Sequence, residues 1–401
     1  MYNLAILNNG RKTMKKIKPL LILSILIVSF LTVLPVTAQN TSAVEFDGGE
    51  VLCPPGVYFS DPGDCIPLGP SQTLTERARN GFSHPPRPFL AMLRDESLSR
   101  VPYQYYRVTA YTINTYATLE DAQNKTNPIR QVGPGESIFL TYIQMERTDR
   151  GVYFRLSSGE WMPGDGERHT PPAVFRGLEF VQPPQSPFGW AIFELDVRAE
   201  PGYRGNTTIV RTLRKNELVH VYGSTTVQNE EWLSIGPGQW VPAQRVAVVY
   251  PKITPPDGVA NGRWIDIDLA EQVLTVYENN QMVFAAMAAT GFDPFWTRPG
   301  LFQVYRMLEA GPMSGSFEID RSDYYYLDQV PYTLYYDKAR AIHGVYWRAS
   351  LGFEQSKGCV NLSIGDAAWV YYWANEGDWV YVHDRTGNTP TDPALFGDGG
   401  A

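Results

Sequence analysis

The chain has 401 residues, 43% apolar and 19% charged, which suits two or three globular domains. It carries 34 Lys and Arg against 42 Asp and Glu; the first 38 residues hold five of the bases and no acid, so the rest stands at 29 against 42, a net of −13. That balance excludes nucleic-acid binding through bulk charge, while 35 Gly, 31 Pro and 24 Tyr point to many turns and short strands, a mainly β protein.

Residues 1–38 read as an export signal. Arg11, Lys12, Lys15, Lys16 and Lys18 form a basic start, Leu20 to Leu34 an apolar run, and Val36-Thr37-Ala38 a small-residue cleavage site. The apolar run falls short of the roughly 20 residues of a spanning helix. Cleavage is therefore the favoured expectation and an uncleaved membrane anchor the alternative. Either way the protein is expected in the cell envelope or outside the cell.

Residues 39–100 read as a Pro/Gly-rich linker containing Cys53 and Cys65. In an exported protein two cysteines so spaced are expected to pair. No histidine lies between them, which disfavours a metal site, and pairing leaves Cys359 as a free thiol. His84, His169 and His220 stand alone, without metal-cluster spacing, so no metal and no cofactor are expected.

Two stretches, 101–175 and 190–250, look like a weak repeat. Short alternating strands close on Gly159-Glu160-Trp161-Met162-Pro163 in one and Gly238-Gln239-Trp240-Val241-Pro242 in the other. The pattern resembles bacterial SH3-like barrels, modules that often accompany cell-wall enzymes. The resemblance implies wall association. Trp161 and Trp240 individually are expected to fill the small barrel cores, as large aromatics usually do.

After the Pro251 to Pro256 linker, the span 257–385 reads as one further domain. Arg263 to Leu269 and Gln272 to Tyr277 alternate at period two, Asn279-Asn280 turns the chain, and a third strand follows from Met282. Ser363-Ile364-Gly365-Asp366 opens a helix as a capping box with Asp in place of Glu. Trp379 to His383 closes the domain, and 386–401 is expected to be a disordered tail.

Within this domain His343-Gly344 is followed, after a loop, by Ser356-Lys357-Gly358-Cys359-Val360-Asn361. A cysteine attacks carbonyls as its thiolate and needs a base or cation nearby. A histidine can supply the base and later protonate a leaving amine. Glycine before the nucleophile permits a tight turn whose N–H groups face a developing oxyanion.

These residues resemble the signature of the L,D-transpeptidase (YkuD) catalytic domain: His-Gly, a loop, then Ser/Thr-x-Gly-Cys-hydrophobic-Arg/Asn. Thr290-Gly291 and Thr297-Arg298-Pro299-Gly300-Leu301-Phe302 match further family elements. The resemblance implies a β-sandwich-like domain in which Cys359 acylates on a peptidoglycan stem tetrapeptide and His343 protonates the departing D-Ala. It also implies a backbone carbonyl near the Ser-x-Gly segment to orient His343. Gly358, Ser356, Asn361 and Gly344 are implied as oxyanion or positioning residues, and Tyr332, Tyr336 and Trp347 as pocket residues. It implies carbapenem-type β-lactams as acylating inhibitors. An L,D-carboxypeptidase using water, or a wall-binding protein with an idle enzyme domain, are the alternatives. Because the signature lies wholly beyond 256, residues 101–250 are expected to be dispensable for the chemistry itself.

Overall fold

The computed structural model describes residues 52–53, 65–67, 70–79, 90–108, 112–133, 137–164, 167–169, 172–203, 208–252 and 254–398. The export signal lies outside the described residues. Cys53 and Cys65 form a disulfide.

The fold is mainly β. One seven-stranded sheet runs in the order Ala91–Leu93, Leu178–Phe180, Gln281–Met287, Val273–Glu278, Trp264–Asp268, Trp379–His383, Gly300–Gln303. Asn279 and Asn280 both adopt positive φ, 53° and 61°, as the tight hairpin between Val273–Glu278 and Gln281–Met287 requires. All five residues of Trp264–Asp268 are buried. This is an inner strand covered on both faces, with Trp264 stacked on Tyr277 at 4.2 Å.

The second, eleven-stranded sheet ends on the strands that carry the signature: Val360–Leu362 pairs with Arg340–Gly344, and that with Tyr325–Asp337. Tyr325–Asp337 also pairs with Ser137–Thr148, in parallel, matching Tyr325, Tyr326 and Leu327 to Ser137, Ile138 and Phe139. The strands of residues 104–169 extend the sheet from there. One apolar core joins the two sheets and the helix Ile364–Trp373, through Ile265, Leu274 and Phe284 from the first sheet, Val330, Leu334 and Ile342 from the second, and Ala367 and Val370 from the helix.

Side chains alternate along a strand, so a strand between two cores serves both. Phe139 enters the central core while its neighbours Ile138 and Leu140 fill a separate cluster with Tyr106, Leu156 and Met162. The stretch from 188 to 249 forms its own three- and five-stranded sheets around Val197, Leu213, Leu233 and Val241. There Val246 and Val248 point into that local core, and Ala247 and Val249, with Phe188 and Trp190, into the central one.

Several expectations change. The supposed linker contains Ala91–Leu93, an edge strand of the first sheet, and Arg94, which is 1% exposed. Arg94 Nε donates to Asp366 Oδ1 at 2.6 Å, and its other nitrogens reach Ser363 Oγ and the carbonyls of Phe175 and Asp95. Removing one partner of so buried a pair costs about 3–5 kcal/mol. Asp366 therefore does not close a capping box. Ser363 caps the helix by accepting the Asp366 N–H at 3.2 Å, while the Asp366 carboxylate turns to Arg94 and the Gly177 N–H.

The tail is ordered through Asp398. Asp398 O accepts the Ala339 N–H, and Phe396 is buried beside Trp296 and Arg340. An apolar residue close behind the signature strand gives a segment rich in Gly, Asp and Pro somewhere to dock. Trp161 and Trp240 are only half-buried; Trp232 is the tryptophan at 0% exposure in the 188–249 unit. Trp161 instead lies against Tyr116, Ala122 and Tyr153, because the core beside it is already filled by Met162.

Candidate active site

Parallel pairing builds the site. Arg340–Gly344 and Val360–Leu362 lie in a register that sets His343 opposite Asn361. Paired residues share a face, and so does a residue two positions back. His343, Asn361 and Cys359, which sits one residue before the strand, thus turn the same way. All three line a cavity of about 150 Å³. Gly344 leaves little room for a side chain: a Cβ there would lie 3.0 Å from the Ile364 Cα and 3.1 Å from Pro331.

The turn carrying Cys359 is held from several sides. Gly358 has φ +112°, where a side chain is strained. Ser356 Oγ donates to the Cys359 carbonyl at 2.6 Å and accepts the Gly358 N–H at 3.2 Å. Thr297 Oγ1 donates to the Gly358 carbonyl at 2.9 Å and accepts the Gly291 N–H. The Thr290 carbonyl accepts the N–H groups of Gln355 and Ser356. Thr290-Gly291 and Thr297 therefore brace the turn that carries Cys359. The Gly358 N–H is committed to Ser356, which removes it as a ready oxyanion donor.

His343 is 2% exposed and Cys359 5%. His343 Nδ1 lies 3.2 Å from the Gly344 carbonyl. A carbonyl only accepts, so Nδ1 carries the hydrogen and Nε2 keeps its lone pair. The orienting acceptor is thus the neighbouring Gly344, not the Ser-x-Gly segment.

Burial pushes the Cys359 thiol up to about 11, against a backbone hydrogen bond from Ala341 and the charge of Arg340, both of which favour the thiolate. Burial likewise lowers His343 to about 4; the Gly344 hydrogen bond opposes this and the Arg348 charge adds to it. Both groups are neutral at rest. A resting thiolate–imidazolium pair is therefore disfavoured.

Of the residues expected in the pocket, Trp347 lines the cavity, its ring 5.6 Å from that of His343. Tyr332 and Tyr336 do not. Tyr332 packs on Tyr371 and Tyr372 of the helix, and Tyr336 is buried against Phe302. They belong to a strand whose outer positions face the helix and the core. The wall is made instead by Tyr325 and Leu327 from the same strand, with Met313, Arg348, Lys357 and Ser137. Ser137 arrives by the long-range pairing of its strand and has no local signal in the sequence. Tyr325 and Leu327 sit at period two, which could have marked them.

The loop between His343 and Cys359 is gripped from both N-terminal regions. Tyr105 stacks on Tyr346 at 3.5 Å. Lys215 Nζ donates to Ser350 Oγ at 2.7 Å and to the Ala349 carbonyl at 3.2 Å. A Cβ on Gly352 would meet Ile192 at 2.9 Å.

A cysteine held in a braced turn and a neutral histidine oriented by Gly344 thus line one cavity at the edge of the second sheet. Residues 262–382 match the family model described as the YkuD L,D-transpeptidase catalytic domain, and this part of the chain is such a domain. Similar solved structures include an L,D-transpeptidase from Stackebrandtia nassauensis (22% identity, 35% of this chain and 63% of that one, TM-score 0.26). Others are an L,D-transpeptidase from Mycobacterium smegmatis (17%, 53% and 93%, 0.29) and the L,D-transpeptidase LdtMt1 in complex with imipenem (16%, 53% and 93%, 0.29). The chain thus spans less than two thirds of the Stackebrandtia protein's length. No curated protein matches the chain.

Proposed function

We propose that the protein is an exported L,D-transpeptidase that cross-links peptidoglycan stem peptides through an acyl-enzyme on Cys359. The observation that carries this reading is the shared cavity of Cys359 and His343, with His343 Nδ1 engaged by Gly344 and Nε2 left to act as base. The Cys359 thiol gives its proton to His343 Nε2 as sulfur bonds to the carbonyl carbon of the third residue of a stem tetrapeptide. The oxyanion is met by the Cys359 N–H. The imidazolium then protonates the amine of D-Ala, the C–N bond breaks and a thioester remains. An amine of a neighbouring stem attacks the thioester, loses its proton to His343 and restores the thiol. Strained carbonyls such as those of carbapenem-type β-lactams enter the same route and stop at the acyl-enzyme. Wall association through 101–175 and 190–250 belongs to the same proposal.

Intact mass after incubation with a tetrapeptide should show an adduct on Cys359 and, with an amine acceptor, a cross-linked product. Cys359→Ser should keep the fold and lower turnover about a hundredfold or more, because the hydroxyl ionises far less readily. Turnover within about tenfold of wild type would sink the cysteine mechanism.

A further inference from the structure

Among the described residues, the cavity wall holds two cations, Arg348 and Lys357, and no carboxylate, in a chain whose net charge is negative. The two differ in their partners. Lys357 Nζ faces Asp323 at 3.3 Å. Among the described residues no carboxylate lies within ion-pair distance of Arg348; its Nη1 donates to the neutral Gln355 Oε1 at 3.0 Å, and its Nε is buried with no hydrogen-bond partner. Gln355 is itself fixed, since its Nε2 donates to the Ser350 carbonyl at 2.8 Å. A guanidinium so largely removed from water without a counter-charge is costly to keep. Its planar fork is the shape that grips a carboxylate in two places.

We infer that Arg348 is the carboxylate anchor of the cavity: it holds a free carboxylate of the acylating peptide while Cys359 attacks the nearby carbonyl. The inference rests on the peptide-acylation reading and adds which part of the substrate is recognised. The carboxylate has two sources, the terminal carboxylate of the departing D-Ala or a side-chain carboxylate on the third residue. Either would meet a preformed positive wall in a chain that otherwise repels anions.

The test compares the full chain with Arg348→Gln and with Arg348→Lys, which keeps the charge, each checked for an unchanged melting profile. Substrates are a tetrapeptide ending in D-Ala, the same peptide ending in D-alaninamide, and a pair with and without a side-chain carboxylate on the third residue. Arg348→Gln should raise KM for the recognised carboxylate about tenfold or more with kcat changed less than about threefold, and Arg348→Lys should recover part of the loss. Whichever neutral peptide makes wild type behave like Arg348→Gln identifies the source.

A second readout needs no turnover. Cys359 is alkylated by iodoacetate and by neutral iodoacetamide, and the ratio of the two rates should fall about tenfold in Arg348→Gln and hold in Arg348→Lys. An unchanged ratio, or a KM within about twofold for every carboxylate peptide, overturns the anchor. A wild-type protein that turns over no peptide sinks the functional reading instead, and the alkylation ratio still decides the role of Arg348.

Discussion

The two N-terminal regions close on the same Gly-x-Trp-hydrophobic-Pro motif, yet they join the catalytic domain by different physics. Residues 137–139 pair main chain to main chain with 325–327, so the first region is continuous with the catalytic sheet and sets Ser137 in the cavity wall. The region from 188 to 249 keeps its own sheets and meets the domain through side chains, Phe188, Trp190, Ala247 and Val249 at the core and Lys215 at the loop. Main-chain pairing fixes position to the residue, so it can deliver a wall residue. Side-chain docking tolerates small shifts, so it can only support what others have placed. Sequence likeness between the two regions is silent on which mode each uses.

Removing both regions breaks the comparison most completely. A truncation starting near Asp257 strips Ala91–Leu93, Leu178–Phe180 and Ser137–Thr148 from the two sheets, as well as Arg94 from Asp366. It should fail to melt cooperatively and lose tetrapeptide turnover, against the expectation that the chemistry needs only residues beyond 256. Circular dichroism and a soluble-substrate assay settle it; a well-folded truncation with near-normal rates would show that the shared sheet is incidental.

A smaller probe targets the wall alone. Ser137→Trp should project bulk into the cavity, raising KM roughly tenfold with little change in melting temperature. An unaltered KM would mean that the first region, too, only supports.

The pH profile reports how well the loop is buried. With His343 lowered to about 4, the neutral base persists down to that pH, so the acid limb of kcat/KM should lie well below the 6.5 of an ordinary histidine. The same shift gives a sign for stability. The unfolded chain takes up the proton first as pH falls, so this contribution is intact above about 6.5 and is lost progressively toward pH 4. Tyr346→Ala, which loosens the loop, should move the limb toward neutrality; a limb already near 6.5 in wild type would contradict the burial.

Lys215→Ala should have the least effect, within about twofold on turnover, since its contacts are exposed and such interactions contribute about 0–1 kcal/mol. A larger loss would put side-chain docking on a par with shared pairing.

That His343 and Cys359 share a cavity was readable because they sit 16 positions apart in one signature and the alternation of 340–344 and 359–361 turns them to one face. Gly344 and Gly358 were readable for the same reason: each answers a local demand, space for one and positive φ for the other. Ser137, Arg94 and the packing of Tyr332 against the helix were not, since each depends on a partner far along the chain. Arg94 stood in a stretch whose Pro and Gly content reads as linker, and only the buried Asp366 gives it a place. Phe396 shows the same limit from the other end, one aromatic sufficing to dock a segment of loop-like composition.

The strands with two buried faces impose an order of events on biosynthesis. A chain made from its N-terminus completes residues 188–249 before 264–383 exist. Phe188, Trp190, Ala247 and Val249 then form a sticky patch that only the earlier Phe175 and Phe180 can cover in part. The unit can close its own small core early, but its outer face must wait for the last third of the polypeptide. Any delay between the two leaves that face open to other nascent chains, so the catalytic domain acts, for its own predecessor in the chain, as a tethered chaperone.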